Sequence, residues 1–561
     1  MSDKSRTESV AAELERASDD TQNGSRRGFL RLSALVVTGF ATACASDNNG
    51  DGGAGAGNPG PGAGGKGAAG SGATGAGAGA PGVAGAPGVA GAPGVAGAPG
   101  AAGASGTAGA PGAGGAPGAA GAPAMGGAPA TGGAHAAGGA PGAAGASGAP
   151  AAAGAGGGPV TVPGGGWKEN NYLPLPALPA GTSSSIAKLP DPFKFISGSR
   201  ISTKADWEKL RADLSAMLQA SVYGPKMPAP DMLTATFSGG TVTVNMTVGS
   251  KTGSFTFKIT GGGSAASPVP CVITCNGSSL PIPSGIATIT LNTDTFAKQD
   301  KSIPTNGLVT TLYGSAAAKS GSDICWAWGL SRIIDALEKL PEAGINVKRI
   351  GTTGCSYAGK GALAMGAFDE RVALTMVQEG GSGGTALWRV STAEAKAGQN
   401  IQEATEIVGE QNWEGADFKA LFSGKGKTSA PVEKLLADQH FAVALCAPRA
   451  IIILENDIDW LGPVATYGGG VAGRTVYEAL GIKDRCGVTV AANHGHCSFP
   501  TSQQAALTAF TTRFLKGGTA TTSGVDEFNG KNSKLGTFKT ADWIDWDTPT
   551  LAGALTWDPF A

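Results

Sequence analysis

Six short apolar runs, each closed off by turn residues, punctuate the last two thirds of the chain, at 271–275, 286–291, 349–353, 372–377, 450–454 and 487–491. They are rich in Ile, Val and Thr, and most are apolar at consecutive positions rather than alternating, as expected of strands buried on both faces. Between several of them the apolar spacing lengthens to that of a helix, at 326–340, 361–368 and 471–480. Strands that alternate with helices predict an α/β domain with a mainly parallel sheet sandwiched by helices.

Upstream the pattern disappears. The chain has 94 glycines in 561 residues, and most of them stand before residue 166, so much of the length cannot be packed core. From residue 45 to 165 it is almost wholly Gly, Ala, Pro and Ser, with glycine at every third position from Gly79 to Gly121. That is the collagen period. The register breaks at Ala124 and charges are few, so the tract reads as a low-complexity, partly polyproline-II linker, with a trimeric stalk as the other reading. As a coil its ends would stand about 60 Å apart.

Residues 1–44 begin polar and then run Ser25-Arg26-Arg27-Gly28-Phe29-Leu30 into the apolar stretch 32–43, the form of a twin-arginine export signal. Ala41-Thr-Ala-Cys44 follows as a lipoprotein-type cleavage box. The expectation is an exported chain, lipidated at Cys44 and held at a cell surface or outer membrane; ordinary cleavage near Ala43 would instead leave it periplasmic or secreted. Residues 166–561 remain, enough for one α/β domain with a C-terminal extension, expected to act as a monomer. The net charge of −1 leaves no electrostatic footprint for nucleic acid.

Candidate chemistry starts at Gly351-Thr-Thr-Gly-Cys-Ser356-Tyr-Ala-Gly-Lys360, which reads as strand, sharp turn and helix with Ser356 at the turn. A serine there sits at a helix N-terminus, where backbone N–H groups can hold an oxyanion. The second glycine, Gly359, comes one residue later than in the usual hydrolase elbow. Such a serine needs a base and an acid. Glu379 follows the run 372–377, and His494 and His496 follow the run 487–491; parallel sheets gather their active groups beyond such strand ends. The order Ser, acid, His is that of the α/β-hydrolases. If Ser356 and His496 are hydrogen-bonded, the adjacent Cys355 and Cys497 come within disulfide reach, which singles out His496 over His494. His440 reads as structural, and His135 lies in the linker.

These residues, with Gly354-Cys-Ser-x-x-Gly-Lys-Gly-Ala362, Gln378-Glu-x-Gly-x-Gly-Gly384, Trp388-Arg389, Asn400-Ile-Gln402 with Glu410, Glu455-Asn-Asp-Ile-Asp-Trp-Leu-Gly-Pro463 and His494-x-His-Cys-x-Phe-Pro500, resemble the glucuronoyl esterases, carbohydrate esterase family 15. The resemblance spans about residues 191–517. It implies an α/β-hydrolase fold and a triad of Ser356, Glu379 and His496, with Cys355 bridged to Cys497. It further implies sugar contacts from Lys360, Gln402, Glu410 and Trp460, no cofactor, and as substrate the esters of 4-O-methyl-glucuronic acid that join glucuronoxylan to lignin alcohols.

Three points stay open on the residues alone. Tyr357 stands where the family usually has an arginine that helps hold the oxyanion, and a lost oxyanion donor typically costs about 3 to 4 kcal/mol. This admits an acetyl-xylan or general carboxylesterase, or a carbohydrate-binding relative with weakened catalysis, as alternatives. Asp457 and Asp459 are alternative acids, because the usual hydrolase acid follows the later strand. A second disulfide of many fungal members has Leu387 and the neighbourhood of Gly470 in its place. Once the triad is assigned no metal-ligand spacing remains, and Cys271, Cys275, Cys325, Cys446 and Cys486 are left without an assigned partner.

Overall fold

The structure, a computed structural model, describes Glu169 and residues 187–561; the expected export signal, Cys44, the expected linker with His135 and the expected boundary at residue 166 lie outside the described residues. The strands among these are β1 (Met232–Ser238), β2 (Thr241–Val248), β3 (Lys251–Thr260), β4 (Val269–Cys275), β5 (Ala287–Leu291), β6 (Ile345–Cys355), β7 (Val372–Gln378), β8 (Ala450–Asn456), β9 (Cys486–Ala491) and β10 (Asp526–Asn529). They form one sheet in the order β1-β2-β3-β5-β4-β6-β7-β8-β9-β10. β1, β2, β3 and β5 pair antiparallel in succession, and every pairing from β5 through β10 is parallel.

The helices that carry the argument are α1 (Lys204–Leu218), α2 (Ser322–Glu338), α3 (Tyr357–Phe368), α4 (Trp388–Lys396), α5 (Ala404–Glu410), α6 (His440–Leu445), α7 (Pro463–Leu480) and α8 (Gln504–Phe510). Successive side chains of β8 leave the sheet in opposite directions. Ile451 and Ile453 join a core with α1, α2, α3, α6 and α7, while Ile452 and Leu454 join a second core with Leu507 and Phe510 of α8 and with Phe514. A strand with an apolar layer on each side must be apolar throughout, which is why β7, β8 and β9 are buried at every position.

The expected α/β fold is therefore present, and all six expected strands and three expected helices occur. α7 begins eight residues earlier than its sequence pattern, because Gly468, Gly469 and Gly470 lie inside it. A methyl group on Gly469 would fall 1.9 Å from the Thr385 carbonyl oxygen, and one on Gly468 would meet Phe538 at 2.4 Å and Leu387 at 3.1 Å. The run that reads as a helix breaker is the place where the helix packs closest to its neighbours, with Leu387 against it.

Cys355 and Cys497 form a disulfide with Cα atoms 5.8 Å apart. Cys271, Cys275, Cys325, Cys446 and Cys486 are all free and buried, and burial pushes the thiols of Cys325 and Cys486 up to about 12.

Candidate active site

The register of the parallel strands builds the site. Cys355 of β6 lies opposite Gln378 of β7, Gln378 opposite Leu454 of β8, and Asn456 of β8 opposite Ala491 of β9. Ser356, Glu379, Asn456 and the loop after Ala491 consequently emerge side by side at one edge of the sheet, on strands about 4.8 Å apart.

Ser356 takes φ 61° and ψ −126°, a left-handed backbone, as the N-cap of α3. A non-glycine residue held there costs of order 1–3 kcal/mol. The turn is pinned by Ser356 N–H donating to the Gln378 carbonyl at 3.1 Å, and by Gly359 and Lys360 N–H donating to the Ser356 carbonyl at 2.8 and 3.1 Å. Gly359 is needed one residue late because α3 presses on β7 there: a methyl group would come within 2.5 Å of the Gln378 carbonyl oxygen. The first N–H groups of α3 have no partner within the helix and point toward the turn.

Glu379 is buried and also at positive φ, 47°. Its Oε2 accepts from His496 Nδ1 at 2.8 Å, from Cys497 N–H at 2.8 Å and from Asn456 Nδ2 at 3.3 Å; Oε1 accepts from Gln378 Nε2 at 3.4 Å and lies 3.8 Å from His494 Nδ1. Because Nδ1 of His496 is committed to Glu379, Nε2 is the nitrogen left for chemistry. The Trp460 ring stands edge-on to His496 with centroids 4.8 Å apart.

Neither alternative acid holds that position. Asp457 is buried with Lys531 Nζ 3.9 Å from its carboxylate, and Asp459 is exposed beside Trp460. His440 is a core residue, with Nε2 2.9 Å from the Pro190 carbonyl and its ring stacked on Trp546. Cys355, Glu379, His496 and Cys497 bring metal-ligand atom types within 4.8 Å of one another, but the disulfide consumes both sulfurs, which leaves two donors where structural zinc takes four.

The expected sugar contacts cluster beside the triad. Lys360 is 4 % exposed, and its Nζ donates to the carbonyls of Gly380 at 2.7 Å and Ser382 at 2.5 Å and lies 5.2 Å from the centre of the Trp413 ring. Burial lowers the Lys360 ammonium against the pull of Glu410, Glu414 and Asp323. Gln402 donates to Glu410 at 2.5 Å, and its N–H donates to the Trp460 carbonyl at 3.1 Å. Burial raises the Glu410 carboxyl, opposed by Lys360, and pushes Glu414 up to about 7 and Glu455 to about 8. The Tyr357 ring lies parallel to Trp413 with centroids 6.5 Å apart and edge-on to Trp326, and its hydroxyl accepts from Asn276 Nδ2 at 3.3 Å.

Sequence patterning did not flag Asp323, Trp413, Glu414 or Asn456. The first three lie outside the family motifs; Asn456 lies inside one, just before the two aspartates, Asp457 and Asp459, that drew the attention.

A parallel sheet with a serine at a strand–helix turn, and a histidine–carboxylate pair at neighbouring strand ends, defines an α/β-hydrolase. Comparison with known proteins narrows this. The profile of the family "Glucuronyl esterase, fungi" matches residues 244–481. The 4-O-methyl-glucuronoyl methylesterase of Neurospora crassa is 43 % identical over 373 residues, covering 66 % of this chain and 91 % of that protein. The glucuronoyl esterase catalytic domain of Hypocrea jecorina superposes with a TM-score of 0.61 at 40 % identity, over 67 % of this chain and all of that one. A serine-to-alanine variant of the Sporotrichum thermophile enzyme, solved with methyl 4-O-methyl-β-D-glucopyranuronate, has a TM-score of 0.61 at 39 % identity, over 66 % of this chain and 97 % of that one. The chain belongs to the glucuronoyl esterase family.

Proposed function

We propose that this protein hydrolyses esters of 4-O-methyl-D-glucuronic acid, such as glucuronoxylan–lignin linkages, through an acyl-enzyme on Ser356. The observation that carries the reading is the 2.8 Å bond from His496 Nδ1 to Glu379, on a loop bonded covalently to the residue before Ser356. Ser356 Oγ attacks the ester carbonyl as His496 Nε2 takes its proton, and the oxyanion forms against the N–H of Tyr357 at the start of α3. His496 then protonates the departing alcohol. Water, deprotonated by the same nitrogen, cleaves the acyl-enzyme and frees the uronic acid. Lys360, Gln402, Glu410 and Trp460 would hold the sugar, and the reaction calls on no cofactor.

The sequence of residues 1–44 supports export with a lipid anchor on Cys44, and the 45–165 tract would hold a monomeric catalytic domain off the membrane; no helix of the described residues is long and apolar enough to cross one.

The test is hydrolysis of a methyl or benzyl glucuronate ester. The wild type turns it over, and Ser356→Ala loses more than about 10⁴-fold in kcat; equal rates would overturn the mechanism. Faster turnover of an aryl acetate than of the glucuronate ester would instead favour a general carboxylesterase, the reading to which Tyr357 gives room.

A further inference from the structure

The loop that carries His496 is bonded within itself by the Ser498 N–H on the Gly495 carbonyl at 2.9 Å. Asn493 and Cys497, one on either side of the histidines, both adopt left-handed backbone, φ 64° and 59°. Three tethers join the loop to the rest of the molecule. The disulfide is one tether and the Cys497 N–H on Glu379 is another. The third comes from the end of β8. Asn456 is fully buried, and its Nδ2 lies 3.3 Å from Glu379 Oε2, 3.1 Å from the His494 carbonyl, 3.4 Å from the Gly495 carbonyl and 3.1 Å from His494 Nδ1.

Three of those four neighbours are oxygens that only accept, so the amide nitrogen, not the oxygen, faces them, and the fourth is an imidazole nitrogen able to accept in one tautomer. We propose that Asn456 is a positioning residue of the triad, its one amide nitrogen joining the acid Glu379 to the backbone of the loop that carries the base. The proposal rests on the triad reading above. Two hydrogens shared among four acceptors hold the His494 carbonyl and the acid at a fixed separation, which sets the angle at which His496 Nδ1 meets Oε2. His494 packs against the same amide and closes the far side of the carboxylate.

Catalysis needs this geometry when His496 becomes an imidazolium, since a base turned away from Ser356 costs rate without costing sugar affinity. The titratable groups around Glu379 are His496 and His494 from the loop and Glu455 from β8, with Lys360 of α3 beyond Glu455.

The experiment uses the full chain with Asn456→Ala and Asn456→Asp. It measures the rate at which a fluorophosphonate labels Ser356 between pH 5 and 9, kcat and KM on methyl glucuronate ester, and thermal melting. Labelling reads the triad without requiring sugar recognition. For Asn456→Ala the expected result is a fall of about 10- to 100-fold in labelling rate and in kcat, with KM within about twofold of wild type. For Asn456→Asp, which keeps the shape but sets a second negative charge beside the His496–Glu379 pair, the imidazolium is favoured and the acid limb of the labelling profile moves to higher pH. Folded variants that label at the wild-type rate with the wild-type limb would overturn the proposal, whatever their melting temperatures. Should the alanine variant not fold, the near-isosteric aspartate decides by its limb. A wild type that labels but leaves glucuronate esters intact refutes the proposed substrate and leaves the role of Asn456 to the labelling rates.

Discussion

Glu379 collects N–H donors from Gln378, Asn456, His496 and Cys497 on one buried carboxylate, and this count, rather than the order of residues along the chain, is what supports the proposal of Glu379 over Asp457 as the acid. A buried carboxylate hydrogen-bonded from several sides is fixed in orientation. Glu379→Gln is expected to lower kcat by about 10³- to 10⁴-fold with little change in KM, because the amide can hold His496 in the wrong tautomer, whereas Asp457→Asn, whose partner is Lys531, leaves kcat within about threefold; steady-state kinetics of both variants on one ester is the check. Ser356, Glu379, His496 and the cysteine pair were legible in the sequence because each closes or follows a buried strand and sits in a short motif. Asn456 was not: an asparagine at the end of an apolar strand carries no pattern, and only the register β7–β8–β9 brings it to the acid. Trp413 and Glu414 were invisible for a related reason, since they reach Lys360 from a segment after α5 that has no periodic signal of its own. Tyr357 was legible as a departure, but its slot between Trp326 and Trp413 was not.

At the scale of elements, the readable strands were those with an apolar layer on each side, β4 through β9. β1, β2, β3 and the short β10 were missed. β1 alternates exposed and half-buried positions, and β3 carries Thr252, Ser254, Thr256 and Lys258 on its open face, so their Thr-rich alternation blends with the surrounding turns. β1, β2 and β3 pair antiparallel in succession and stand at the end of the strand order away from β8 and β9. The junction of β6, α3 and β7 depends on close approach. Gly359→Ala would drive a methyl group into the Gln378 carbonyl, and that carbonyl also accepts the Ser356 N–H. The expected outcome is a loss of about 1–3 kcal/mol of stability together with a larger fall in kcat than the loss of folded protein explains, read by pairing a denaturant titration with kinetics on the folded fraction. The same substitution at Gly409, which has open space around it, is expected to cost little.

The molecule as a whole carries several carboxyls that burial holds protonated near neutrality: Glu394 and Glu414 at about 7 and Glu455 at about 8. An acid whose folded value is raised binds a proton that the unfolded chain gives up above about pH 4.5, so it lowers stability as pH rises toward the folded value. His440 and Asp369 are among the groups that work the other way. Burial depresses His440 to about 4, so its contribution is lost between pH 6.5 and 4. Asp369, which burial would raise, is held below the usual carboxylate range by Arg371 and loses its contribution in stronger acid. Between pH 6.5 and 8 the buried carboxyls act unopposed by these two. Melting temperature is therefore expected to fall across that window, and Glu455→Gln, which can keep the bond from the Gly381 N–H, is expected to flatten the upper part of the slope; an unchanged slope in that variant would show that another group titrates there. The buried thiols bear on how such a chain matures. Seven cysteines in the folded domain allow many wrong pairings and one right one, and five of the seven are sealed inside once the core has closed. If an oxidant arrives after closure, it finds a single pair within reach, and the right crosslink then needs no isomerase to select it.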